Sequence, residues 1–333
     1  MKVLIAGFGS IGRRHLRNLR ALGQTDVLLY RTHHSTIPED EIEGLPVFSD
    51  LEQALGQGVN GVIISNPTAL HMDVAIPAAK AGCDILFEKP ISHNLERIDE
   101  LEDALRTGGG KVVVGFQFRF HPVLQQVKRL LELGEIGRPV SARAHWGEYL
   151  PDWHPWEDYR QSYSARSDLG GGVVLTLCHP LDYLRWFLGE VQAVWGYTGH
   201  LGDLELDVED TAELGLRFTS GAIAAVHLDY LQRPPAHRLE ITGTEGLIEW
   251  NNATGAARLF RASTDSWESF LPPAGFDRND MFLAETRHFL GVMGGEEQPI
   301  CTLNDGVQVL RLVLAAHQAG SAFISVGLDH FPK

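Results

Sequence analysis

Along the first third of the chain, apolar positions recur with two alternating periods. Short apolar runs at Lys2 to Ala6, Val27 to Tyr30, Gly61 to Ser65, Ile85 to Phe87 and Lys111 to Phe116 have the length and uniformity of strands buried on both faces. Between them lie stretches of helical spacing, namely Ile11, His15, Leu19 and Leu22, then His71 to Ala81, then Leu95, Ile98, Leu101 and Leu105. This alternation predicts a doubly wound parallel sheet that is complete near Phe118. Beyond it the pattern changes. Pro122 opens a helix with Val123, Val127, Leu130 and Leu131 on one face and Gly134 at its end. Ala212, Leu214, Leu216 and Phe218, and later Leu239 and Ile241, keep a period of two. Thr219-Ser220-Gly221 and Gly243-Thr244-Glu245-Gly246 read as turns, so long antiparallel strands with one covered face are expected. Two helices, Asp280 to Met293 and Asp305 to Gly320, follow; the second is apolar on so many sides that burial is expected. The fold class is therefore α/β, with a parallel-sheet domain over residues 1–118 and an α+β domain on a large, mainly antiparallel sheet over 119–333.

Gly7-Phe8-Gly9-Ser10-Ile11-Gly12 sits between the first strand and the first helix, the context a dinucleotide fingerprint requires. Gly7 permits the tight turn, Gly9 lets backbone approach a pyrophosphate, and Gly12 lets the helix pack closely. This predicts a Rossmann domain. About 20 residues on, where an acid would hold the ribose hydroxyls of NAD, stand Arg31, Thr32, His33, His34 and Ser35. A guanidinium with hydroxyl neighbours suits a 2′-phosphate, so NADP is expected over NAD.

Composition narrows the partners. The chain has 333 residues, 44% of them apolar and 21% charged, which is ordinary for a globular protein of two domains. Its formal charge of −15 argues against nucleic acid and anionic membranes, leaving a small molecule as the expected partner. No window has a membrane-spanning pattern, and Met1-Lys2 leads straight into a strand, so a cytoplasmic protein is expected. Cys83, Cys178 and Cys301 stand in no paired spacing, and no His-Glu-x-x-His occurs, so neither a disulfide nor a metal is expected.

The stretch Asp84 to Ile91 carries the chemistry. Its apolar strand ends in Glu88-Lys89-Pro90, and Pro90 keeps Lys89 out of the helical region, presenting a cation at the carboxyl end of a parallel strand, where ligands bind. With the glycine motif, Asn66-Pro67-Thr68 and His71, Phe87-Glu88-Lys89-Pro90, Arg119-Phe120-His121-Pro122, and Gly170-Gly171-Gly172 leading to His179-Pro180-Leu181-Asp182, the chain resembles the glucose-fructose oxidoreductase, inositol dehydrogenase and rhizopine-catabolism (Gfo/Idh/MocA) family over nearly its whole length. The resemblance implies a Rossmann domain followed by a domain whose large sheet often makes oligomer contacts, so a homo-oligomer, dimer or tetramer, is expected. It implies hydride transfer between a nicotinamide and a sugar, sugar acid or polyol. Cofactor contacts are expected from the six residues Gly7 to Gly12, from Arg31, from Asn66, Pro67, Thr68 and His71, and from Glu88 and Lys89. Lys89 would stand beside the reacting oxygen, His179 would take or return its proton, and the Lys89-Pro90 bond would be cis.

One departure matters. Many members of the family it resembles carry an aspartate one turn before the histidine, but here Thr176 or Leu175 occupies that place. Asp182, three residues beyond His179, is then the expected partner for orienting the ring, or a helix-face carboxylate facing Arg185. Between these motifs Trp146, Tyr149, Trp153, Trp156, Tyr159 and Tyr163 crowd together with His154, Arg160 and Arg166. Aromatic rings stack on sugar faces and arginines pair with anions, so Trp146, Tyr149, Tyr159 and Arg160, joined by Arg119 and Thr176, are substrate-side candidates; a partly buried loop or a subunit contact explains the crowding equally well. Two other functions fit the same motifs: a hydrolase in which held NAD transiently oxidises a sugar, and a dinucleotide-binding protein without catalysis.

Overall fold

The structure, a computed structural model, describes residues 1–32, 42 and 44–321. Strands β1 (Val3–Ala6), β2 (Val27–Tyr30), β3 (Val47–Phe48), β4 (Gly61–Ile64), β5 (Asp84–Glu88) and β6 (Val112–Gly115) form a fully parallel sheet in the order β3-β2-β1-β4-β5-β6. Their runs are apolar throughout because both faces are covered. Helices α1 (Ser10–Ala21), α2 (Leu51–Leu55), α3 (His71–Lys80) and α4 (Ile98–Gly108) connect the strands. The strand order reverses between β1 and β4, and an open α/β sheet binds its ligand at such a switch.

After α5 (Pro122–Glu132) comes an eight-stranded sheet. Its strands β7 (Pro139–Gly147), β8 (Val191–Gly199), β9 (Thr211–Phe218), β10 (Ile223–Asp229), β11 (Ala236–Gly243), β12 (Gly246–Asn251), β13 (Ala256–Arg261) and β14 (Ser266–Phe270) take the order β14-β13-β12-β11-β7-β10-β9-β8. The two turns expected from sequence join β9 to β10 and β11 to β12. Pairing is antiparallel except at the centre, where β7 and β10 run parallel. Between β7 and β8 the chain forms α6 (Val173–Thr176) and α7 (His179–Leu188), which pack on the sheet's inner face. Helix α9 (Leu303–Ser321) lies along β8, and Gly306 near its start passes so close to the Lys89 loop that a Cβ would meet Ile91 Cγ2 at 2.6 Å.

Helix α8 (Arg278–Met293), held at its start by an Asp277–Asp280 capping box, returns to the parallel sheet. Its Phe289 and Val292 join Leu16 and Leu19 of α1 in covering Val3, Ile5, Leu29, Ile63, Leu86 and Val113. The opposite face, including Leu4, Val62, Ile85 and Val114, belongs to the larger core with α3 and α4. One layer of the nucleotide-type domain thus comes from the far end of the chain.

Candidate active site

The glycine loop follows the end of β1, where Gly7 donates its N–H to the Tyr30 carbonyl at 3.0 Å. Gly7 has φ +94, and a Cβ there would fall 2.5 Å from the Asn66 nitrogen. At Gly12 a Cβ would meet the Gly7 carbonyl at 2.3 Å, so α1 is drawn tightly against the turn. Gly9 differs from both, because a Cβ there would meet nothing within 4 Å. That open space lies at the N-terminus of a twelve-residue helix with no acidic residue in its first turn, a setting that suits a pyrophosphate. Phe8 is buried, with the Arg13 guanidinium 5.1 Å from its ring, while Ser10 is exposed and Ile11 is half-buried. Arg31 is buried at the end of β2, its backbone N–H bonded to the Phe48 carbonyl. His33, His34 and Ser35 lie outside the described residues.

Two expected cofactor contacts serve the scaffold instead. His71 is buried against Phe87, and its Nε2 stands 3.0 Å from the Asn66 carbonyl, fixing the Asn66-Pro67-Thr68 turn from beneath. Burial lowers its pKa to about 4, so the ring is neutral. Glu88 meets His15 Nε2 of α1 at 2.8 Å. Burial would push the Glu88 carboxyl up, but the His15 hydrogen bond and charge, aided by Lys89, hold it below its ordinary range. His71 Nε2 and Glu88 Oε1 are thus engaged within the protein. Asn66 donates to the Leu70 carbonyl, and Thr68 is buried where Gly170 passes; a Cβ on Gly170 would lie 3.0 Å from Thr68 Cβ.

The Lys89-Pro90 bond is cis, as expected. Lys89 Nζ reaches across to donate to the Thr176 carbonyl at 2.6 Å, the last residue of α6. Three residues later stands His179, first residue of α7 and 2% exposed. Its imidazole lies in an aromatic box, stacked on Trp146 at 5.5 Å and edge-on to Phe116 at 5.6 Å and Phe118 at 5.0 Å. Nδ1 has no hydrogen-bond partner among the described residues. Burial first, and the Lys89 charge second, hold His179 well below the usual histidine range. A neutral imidazole next to an ammonium is therefore the resting arrangement.

Asp182 does not orient His179, contrary to expectation. Arg119 grips it, with Nε at 3.1 Å from both carboxylate oxygens and Nη2 at 2.6 Å from Oδ1. The same guanidinium donates to the Ile300 carbonyl at 2.9 Å and lies 3.4 Å from Asp305, which Arg185 meets at 2.6 Å. Burial pushes the Asp182 carboxyl up against the pull of Arg119, and the fork geometry keeps the pair ionised. Arg119 is 4% exposed and fully committed, so it is a strut between α7 and α9 and not a substrate contact.

The aromatic stretch is likewise rearranged. Trp146 is buried, lies parallel to His237 at 4.2 Å, and donates Nε1–H to Glu148 at 2.8 Å. It backs His179 from the core and offers no face to a sugar. Tyr149 is covered by the Arg233 guanidinium at 3.9 Å, and the Tyr159 hydroxyl accepts from the Glu205 backbone at 3.1 Å. Arg160 is exposed but paired with Asp158 and Glu205, and Arg166 is paired with Asp168. The arginines that suggested an anionic substrate already have their anions.

One group of side chains beside α6 carries no signal in the sequence. A cavity of about 540 Å³ is lined by Leu175, His93, His200, Asp207, Glu209 and His317, among others. Glu209 accepts from the Val174 N–H at 3.1 Å and faces His317 Nε2 at 3.0 Å; it fits only because Gly172, at φ +108, has no Cβ. A single acidic residue 35 positions from the helix residue it bonds gives no periodic or spacing signal.

A parallel sheet with a phosphate-ready glycine turn at its switch, and a lysine and a neutral histidine brought together beside it, define an NAD-binding oxidoreductase of the Rossmann class. The chain belongs to the Gfo/Idh/MocA family: residues 1–116 match the oxidoreductase family model with an NAD-binding Rossmann fold, and 124–249 match the Gfo/Idh/MocA C-terminal domain. It is 29% identical to the uncharacterized oxidoreductase YrbE of Bacillus subtilis, over 99% of this chain and 97% of that one. It is 27% identical to myo-inositol 2-dehydrogenase of Thermotoga maritima over 99% of both. Among solved structures, levoglucosan dehydrogenase in complex with NADH superposes with a TM-score of 0.86 at 21% identity, over 97% of each chain. No helix among the described residues is long and apolar enough to cross a membrane.

Proposed function

We propose that this chain moves a hydride between a nicotinamide dinucleotide and the carbinol carbon of an uncharged sugar or polyol, with His179 exchanging the hydroxyl proton and Lys89 stabilising the charge that develops on oxygen. The observation that carries this is the 2.6 Å bond from Lys89 Nζ to the Thr176 carbonyl, which holds the ammonium at the backbone three residues before His179, close enough for its charge to act on the imidazole. Bound nicotinamide would supply the two-electron acceptor or donor. The open space at Gly9, between two glycines that admit no side chain, fits its pyrophosphate. His179 begins neutral, as a proton acceptor must. Once protonated, it gains charge in an aromatic box beside Lys89, so the proton is held weakly and returned readily. Lys89 offers a compact charge to an alkoxide in surroundings that exclude water, where it counts for more than in bulk.

An uncharged substrate is favoured by the spent arginines, since Arg160 and Arg166 are already paired with carboxylates of the chain. Relatives named for myo-inositol, D-xylose and levoglucosan support the same class. Arg31 favours NADP by roughly ten- to a hundredfold, as one guanidinium–phosphate contact allows. The test is nicotinamide absorbance during turnover with a panel of aldoses, inositols, anhydrosugars and uronic acids, each with NAD⁺ and NADP⁺. Neutral substrates should turn over, and the activity should disappear in His179→Ala. Turnover of uronic acids alone would overturn the substrate class, and an active His179→Ala enzyme would overturn the proton route.

A further inference from the structure

The central parallel pair of the large sheet sets His145 beside His227 and Gly147 beside Asp229. Ala144, Trp146, Val226 and Leu228 fill the inner face, so His145, His227 and Asp229 project together from the other. β9 flanks β10 with Glu213 opposite His227. The two imidazoles stack at 4.6 Å with 18° between planes, and one ligand-type atom from each of His145, His227 and Asp229 lies within 4.8 Å of the others. A fourth donor folds in from the turn after β10: Gln232 Oε1 stands 2.6 Å from His145 Nε2. The missing side chain of Gly147 makes this convergence possible. A Cβ there would fall 2.2 Å from Asp229 Oδ2 and 2.4 Å from Gln232 Oε1.

The hydrogen bonds hold the prospective ligand atoms in place. Asp229 Oδ1 is held by the N–H groups of Leu231 and Gln232 at 2.7 and 2.6 Å, which aims Oδ2 at His227 Nε2, 2.8 Å away. Glu213 Oε1 stands 2.5 Å from His227 Nδ1. With Nδ1–H donated to Glu213, the Nε2–H of His227 is shared with Asp229 Oδ2, and a divalent cation replacing that proton would be bound by both atoms. A carboxylate on the far nitrogen of a ligating histidine is the arrangement that fixes tautomer and ring orientation at metal sites. Two imidazoles, one carboxylate and one amide oxygen suit a borderline divalent ion such as zinc, with donors at about 2.0–2.2 Å after small side-chain rotations.

We propose that His145, His227, Asp229 and Gln232 form a divalent transition-metal site on the outer face of the large sheet, with Glu213 as the positioning residue for His227. The ion would tie β7 to β10 at their only common register of ligating side chains. It stands apart from the catalytic pair, which lies across the sheet on the inner face.

The test is calorimetric titration of the chelator-stripped full chain with Zn²⁺, together with thermal melts with and without the metal. One equivalent should bind and raise the melting temperature. His227→Ala and Asp229→Ala should each abolish that equivalent, and Glu213→Gln should weaken it by about 10- to 100-fold, as loss of an orienting partner does. Co²⁺ in place of Zn²⁺ should give visible d–d bands that disappear in His145→Gln, a variant that keeps the polarity and volume of the site. Absence of binding would show the cluster to be an ion pair alone. Binding that survives His227→Ala and His145→Gln, both folded by circular dichroism, would place the metal elsewhere and equally overturn the proposal.

Discussion

His179 and Asp182 stand three residues apart on α7, both essentially buried, yet their surroundings hold them in opposite states. His179 is boxed by Phe116, Phe118 and Trp146 and is neutral, with an unpartnered Nδ1. Asp182 is gripped by Arg119, which is itself tied to Asp305 and Ile300, and is charged. A ring with an unpartnered nitrogen sits one turn from a carboxylate held on both oxygens by a guanidinium. The first arrangement suits chemistry and the second suits support, because a group already saturated with partners has no differential interaction left for a transition state.

Replacing each group tests that contrast. The largest effect should come from the chemical side: His179→Ala and Lys89→Ala should each lower kcat by roughly two to four powers of ten, with cofactor affinity little changed in a binding titration. On the supporting side, Arg119→Ala should leave turnover per folded molecule near wild type but cost about 3–5 kcal/mol in denaturant unfolding, since Asp182 would be stranded. Pairing it with Asp182→Leu should restore much of that loss. A double variant as unstable as the single would show that Arg119 acts through Asp305 instead.

Acid should separate the two sides further. His71 and His121 are buried neutral, each with its pKa lowered to about 4, chiefly by desolvation. Their protonation is easier in the unfolded chain, so the stability they allow is complete above about pH 6.5 and lost as pH falls towards 4, by roughly 3 kcal/mol apiece. Unfolding midpoints measured from pH 7 to 4 should fall, and His71→Gln should flatten the slope.

The opposite pH dependence should come from Glu285, fully buried on α8 with neither carboxyl oxygen partnered among the described residues. Burial, then the neighbouring Glu88 charge, raises its pKa well above normal. The unfolded chain ionises it near pH 4 while the folded chain does not, so this residue opposes folding increasingly as pH rises. Glu285→Gln should stabilise the protein at pH 7 and change nothing near pH 4. Equal stabilisation at both values would mean that packing, and not charge, is responsible.

What could be read from sequence divides along the same line. Gly7, Gly9, Gly12 and the cis Lys89-Pro90 turn have roles set by their own backbones, which local sequence encodes. The parallel strands were equally readable because burial on both faces leaves a continuous apolar run. Arg119, Trp146, Arg160 and Asp182 were assigned by side-chain chemistry, and their partners at positions 182, 237, 205 and 119 were decided by tertiary packing. An arginine reads the same whether its anion is a ligand or a residue 63 positions away. His237, in the centre of the aromatic stack, was passed over because a single histidine in an alternating strand carries no pattern of its own.

The return of α8 to the first sheet has a consequence for synthesis. A ribosome releases the glycine loop and all six parallel strands long before Phe289 and Val292 emerge, so a nascent chain exposes part of one sheet face for more than 150 residues of elongation. The cofactor half is then the first part made and among the last completed. A fragment ending at residue 118 should aggregate or bind chaperones when expressed alone, and supplying residues 278–293 through a linker should recover a soluble, cofactor-binding unit.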